Sequence, residues 1–138
     1  MKEKKELKIL FIDDDAVERL RFSQTLMLLD VNVDLVMAEN GWDAIHQLIN
    51  LQDLPDIIVH DIHMPEMNGI EFLRKIKDVN KLKHIPKIAF TSSSNSMELK
   101  SCQELGVNSI LIKPIKPETY IETINLLIQY WSLNSSRP

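Results

Sequence analysis

The stretch DIIVHDIHMPEMNGIEFL, Asp56 to Leu73, sets the reading of the whole chain. A short run rich in Ile and Val, Asp56 to His60, ends on an acid, Asp61, and gives way to amphipathic spacing over 69–78. Without strict alternation, such a run fits a strand covered on both faces, and the helical spacing fits a crossover. The same unit recurs in both directions. Lys8 to Ile12, Val33 to Ala38, Lys87 to Phe90 and Ser109 to Ile112 are further strand-like runs, with helical patterns over 16–29, 41–51, 96–105 and 117–131. Five strands alternating with five helices predict an α/β fold: a doubly wound parallel sheet with right-handed crossovers.

Local signals support that division. Asp15 and Glu18 have capping-box spacing before the first helix, Gly106 follows the fourth as a C-cap would, and Pro117 suits the first turn of the fifth. The expected organisation is a charged extension over 1–6, one domain over 7–131 and a short tail over 132–138, with no output domain. A chain of 138 residues with 44% hydrophobic content suits one such domain.

Composition narrows the function. The longest apolar runs are too short to span a bilayer, and MKEKKELK lacks the apolar segment of a secretory signal, so the expected location is the cytoplasm. The single cysteine, Cys102, permits no internal disulfide and is expected to be buried or half-buried in a helix. A net charge of -4 with scattered basic residues argues against nucleic acid as a partner.

Ligands of open parallel sheets sit outside the carboxyl ends of the strands. Those ends are polar here: Asp13, Asp14 and Asp15 after the first strand, Asp61 after the third, Thr91 and Ser92 after the fourth, Lys113 after the fifth. If the first and third strands are neighbours, carboxylates converge and require a cation. Their hard oxygens suit Mg2+, which keeps several waters and takes a few carboxylates plus a phosphate. Because Asp13 directly follows ILFI, Asp13 and Asp14 are assigned with Asp61 to the metal, and Asp15 to the helix cap. The backbone carbonyl of His63 offers a further ligand. A carboxylate can attack phosphorus, and Lys113 with Thr91 would stabilise the transferring oxygens.

ILFIDDD, DIIVHDIHMPEMNGIEFL, PKIAFTSSS and GVNSILIKPI together resemble the receiver domain of two-component response regulators, from about Leu7 to Trp131. The resemblance implies strand order 2-1-3-4-5, Asp61 as phosphoacceptor, Asp13 and Asp14 as the acidic pair, Thr91 as the switch hydroxyl and Lys113 as the phosphate-sensing lysine. It also implies a sensor histidine kinase as phosphodonor and a cis Lys113–Pro114 bond. HIPKIAFTSSSN and QYWSLNSS are similar to single-domain regulators of phytochrome-type kinases, which implies homodimerisation through the last strand and helix. Without an output domain, the expected action is partner binding, or relay to a histidine phosphotransfer protein.

Two positions depart from the family pattern. Ile110 stands where an aromatic switch residue is usual, so a rotating Tyr or Phe cannot report phosphorylation. His60 replaces an apolar residue and reads as a packed strand histidine. His63 and Ser93 occupy positions that tune dephosphorylation in this family. On the last helix, Ile121, Ile124, Ile128 and Trp131 form one stripe; Tyr120, Leu127 and Tyr130 lie beside it, and Tyr120, Leu127, Tyr130 and Trp131 are the expected interface.

Competing readings include a metal-dependent phosphatase with an aspartyl nucleophile, but its second acid would stand where His63 does. A flavodoxin-like carrier would place FMN phosphate against three aspartates. A receiver-like scaffold that is never phosphorylated would have no use for the intact set of Asp13, Asp14, Asp61, Thr91 and Lys113.

Overall fold

The computed structural model describes residues 6–134. In chain order the elements are β1 (Leu7–Ile12), α1 (Ala16–Leu29), β2 (Val33–Ala38), α2 (Gly41–Asn50), β3 (Ile57–His60), α3 (Gly69–Ile76), β4 (Lys87–Thr91), α4 (Ser96–Glu104), β5 (Ser109–Ile112) and α5 (Pro117–Leu133). All four ladders are parallel and the sheet order is β2-β1-β3-β4-β5. The reading of 1–6 and 132–138 as extension and tail falls largely on positions outside the described residues.

Every residue of β1, β3 and β4 is buried, which explains why these strands lack polar alternation. Successive side chains still point to opposite faces. Leu7, Ile9 and Phe11 join Phe22 of α1 and Tyr120, Ile124, Leu127, Ile128 and Trp131 of α5 in one core layer. Leu10 and Ile12 enter the other, with Ala44 and Leu48 of α2 and Phe72 and Ile76 of α3. Phe11 stacks on Phe22 with ring centroids 4.1 Å apart. Each fully buried side chain of this size contributes about 1.5–3 kcal/mol. A smaller cluster around Ile62, Ala89 and Cys102 seats α4, with Ile110 packed against it.

The helix ends follow the local sequence. Asp15 caps α1 by accepting from the Val17 N–H, and Pro117 opens α5. Glu18, however, turns toward Lys113 rather than back to the cap. A reciprocal capping box forms instead at α3, between Asn68 and Glu71. Gly106 adopts φ +87 after α4 and donates to the Gln103 carbonyl, as a left-handed C-terminal stop should.

Two further expectations are corrected. No peptide bond among the described residues is cis, so Lys113–Pro114 is trans, the isomer most prolyl bonds adopt. Tyr120, Leu127 and Trp131 are core residues, 1%, 6% and 7% exposed, because α5 buries a wide stripe against β1 and α1. Of the expected interface only Tyr130 is exposed, in company with Leu126 and Leu133.

Candidate functional site

Parallel pairing brings the carboxyl ends of β1, β3, β4 and β5 side by side, and the backbone continues the ladders into the site. Asp13 N–H donates to the Ala38 carbonyl (3.1 Å), Asp61 N–H to Ile12 (3.1 Å) and Lys113 N–H to Thr91 (2.8 Å). Asp13, Asp61 and Lys113 thereby face one another across residues 100 and 52 apart in sequence. Lys113 Nζ donates to Asp13 Oδ2 and Asp61 Oδ2, each at 2.8 Å. Glu18 Oε2 stands 3.9 Å from the same ammonium.

One cation therefore serves three carboxylates. Burial raises the Asp13 pKa, against the opposing hydrogen bonds from Lys113 and the Asp15 backbone. Burial alone would lower Lys113, but its bonds to Asp13 and Asp61 and their charge hold the ammonium above its ordinary value. Asp61 Oδ1 accepts from the Ile62 N–H at 2.7 Å, which fixes the carboxylate plane.

The approach of α3 positions Asp61 from below. Gly69 N–H donates to the Ile62 carbonyl at 2.8 Å, and a Cβ at position 69 would lie 2.1 Å from the Asp61 carbonyl oxygen. Only glycine allows this contact. His60 is fully buried beside Phe72; its Nδ1 donates to the Asp61 carbonyl at 2.9 Å and its Nε2 lacks a hydrogen-bond partner. Burial lowers its pKa to about 4, against the pull of Asp61. The packed strand histidine expected from sequence is what the structure contains.

Beyond the strand ends, Asp14 and His63 line an open hollow of about 390 Å³ with Met64, Pro65 and Asn68. Among the described residues no three acidic or histidine side chains form a ready metal cage. The donors nevertheless fit magnesium: Asp13 and Asp61 already converge on one cation, Asp14 borders room for water, and a few carboxylates suffice for this ion.

Thr91 is buried, and its Oγ1 accepts from the Ser93 N–H at 3.1 Å. Ser92 is exposed. Ser93 Oγ donates to Glu98 Oε1 at 2.8 Å, and His63 Nε2 donates to Glu98 Oε2 at 2.5 Å. The hydrogen bonds from Ser93 and His63 hold the Glu98 carboxyl below its ordinary pKa. Gly69, Glu18 and Glu98 were missed by sequence reasoning. Gly69 lay within the quoted motif, but nothing in the spacing of Glu18 or Glu98 pointed to Lys113 or to His63.

Residues 9–125 match the family described as the response regulator receiver domain. The chain belongs to that family. It is 30% identical over 122 residues to the chemotaxis protein CheY1 of Helicobacter pylori, covering 88% of this chain and 97% of that one. Among solved structures, the phosphorylated cyanobacterial phytochrome response regulator RcpA superposes with a TM-score of 0.88 at 22% identity, over 97% of this chain and 99% of that one. The Mn2+-bound response regulator Rcp1 gives 0.84 at 23% identity, over 96% and 99%. This receiver domain thus has the CheY-like fold expected from its sequence. None of its described helices is long and apolar enough to cross a membrane.

Proposed function

We propose that this receiver domain accepts a phosphoryl group on Asp61 from the phosphohistidine of a sensor histidine kinase. The observation that carries the proposal is the Lys113 ammonium held at 2.8 Å from both Asp13 and Asp61 at the carboxyl end of the sheet. An Asp61 oxygen attacks phosphorus, the P–N bond breaks, and its electron pair stays on the departing imidazole. Lys113 leaves Asp61 for a phosphoryl oxygen while keeping Asp13, and the Thr91 hydroxyl and the neighbouring Ser92 complete the donors around the group. Asp13, Asp14, Asp61 and the His63 carbonyl would hold magnesium. Bound there, the ion would neutralise charge on donor and acceptor.

The phosphorylated domain then binds a partner differently, or passes the group to a histidine phosphotransfer protein. A phytochrome-type kinase as donor draws support from the likeness to RcpA and Rcp1. Homodimerisation through β5 and α5 draws support from the edge position of β5 and from the exposure of Ile112 and Tyr130. The cytoplasm is the compartment such a kinase would share.

Incubation with magnesium and phosphoramidate tests the core of this reading. The wild-type mass should rise by one phosphoryl group, with no rise for Asp61→Asn and none in EDTA. A rise that survives Asp61→Asn would overturn it.

A further inference from the structure

We propose that Glu98 is a positioning residue that sets the lifetime of the phosphoryl group on Asp61, by clasping the loops after β3 and β4 across the line of attack. The inference rests on the reading of Asp61 given above.

His63 lies two residues past Asp61 and Ser93 two past Thr91, at the outer ends of two paired strands. Neighbouring strands run about 5 Å apart, so the two loops flank the space directly beyond Asp61. Glu98, on the first turn of α4, spans that space with one oxygen on each loop: Oε2 on His63 Nε2 at 2.5 Å and Oε1 on Ser93 Oγ at 2.8 Å. The clasp is itself anchored. Asn95 caps α4 by accepting from the Met97 and Glu98 N–H groups, and its own N–H donates to Ser93 Oγ at 3.2 Å. Ser93 N–H in turn holds Thr91 Oγ1.

Phosphoryl transfer places the entering and leaving groups in line. With Asp61 at one apex, the other lies outward, between the loops that Glu98 ties together. The leaving group of a phosphodonor departs through that apex. In hydrolysis a water oxygen bonds phosphorus from the same side, the P–O bond to Asp61 breaks with its electron pair returning to the carboxylate, and the water's proton leaves with the phosphate product. A clasp that narrows this opening slows both reactions, which distinguishes it from a residue that merely supports the fold.

The test compares wild type, Glu98→Ala, Glu98→Gln and Ser93→Ala, with magnesium and phosphoramidate, following uptake and then decay by intact mass after removal of the donor. Glu98→Ala should raise both rate constants in parallel, by about three- to tenfold, the range for releasing one or two hydrogen bonds. Glu98→Gln keeps an acceptor for Ser93 and, with the neutral His63 ring carrying its proton on Nδ1, an amide donor for Nε2, and should give rates near wild type. Ser93→Ala opens one end of the clasp and should fall between. Unchanged decay in both alanine variants, slower decay, or decay and uptake moving in opposite directions would each overturn the proposal while leaving Asp61 as the acceptor. A wild type that takes up no phosphoryl group would overturn both readings.

Discussion

The two ends of the sheet both bury charge, but they treat it differently. At the amino end, Lys8 Nζ donates to the Asp53 carbonyl (2.7 Å), the Lys8 N–H donates to Asp56 Oδ2 (2.8 Å), and Lys87 Nζ reaches the carbonyls of Leu82, Lys83 and Ile85 (3.3, 3.3 and 2.7 Å). The two ammonium groups there meet backbone carbonyls, whose dipoles cannot titrate or leave. At the carboxyl end the ions meet one another: Asp13, Asp61 and Glu18 share Lys113. Buried charge satisfied by backbone locks an element in place, whereas buried charge satisfied by other charge can be redistributed by a metal or a phosphoryl group.

The largest effect expected from this contrast is at His60. In the metal-free protein its folded pKa of about 4 lies below the ordinary histidine value of 6.5, so the unfolded chain binds the proton first. Stability from this group is complete above pH 6.5 and is lost as pH falls toward 4, by about 3 kcal/mol in all. Urea unfolding in EDTA should show that loss, and His60→Leu should flatten it; taking the difference between the two proteins cancels the opposing contribution of Asp13. An equally steep acid limb in His60→Leu would place the sensitivity elsewhere.

Next come the two lysines. Lys87→Met should cost about 2 kcal/mol by leaving buried carbonyls unpaired, whether or not magnesium is present. Lys113→Met should destabilise only the metal-free protein, with millimolar magnesium restoring the loss in thermal melts. Rescue of Lys87→Met by magnesium would break the comparison.

The smallest effect sharpens the reading of the triple aspartate. Asp15→Ala should cost about 1 kcal/mol as a lost cap and leave magnesium affinity, read by calorimetry, unchanged. Asp14→Ala should do the reverse. A loss of affinity in Asp15→Ala would shift the register by one.

Asp13, Asp61, Thr91 and Lys113 were legible in sequence because each directly follows or ends a strand, and parallel topology does the rest. The surface of α5 was less so. Its apolar residues cover more than one helical stripe, and only packing against Phe11 and Phe22 decides that Tyr120, Leu127 and Trp131 go inward while Tyr130 stays out. The clasp was hidden for another reason: His63 and Glu98 are 35 positions apart, and their meeting depends on how two loops fold over one strand end.

The packing of α5 also gives the domain two optical reporters of unlike character. Trp131 is 7% exposed, with Tyr130 edge-on to it at 5.0 Å, while Trp42 on α2 is 53% exposed. Emission from Trp131 therefore follows the docking of α5, and a water-borne quencher such as iodide selects Trp42. Motion on the two sides of the sheet can be followed separately in one unlabelled protein.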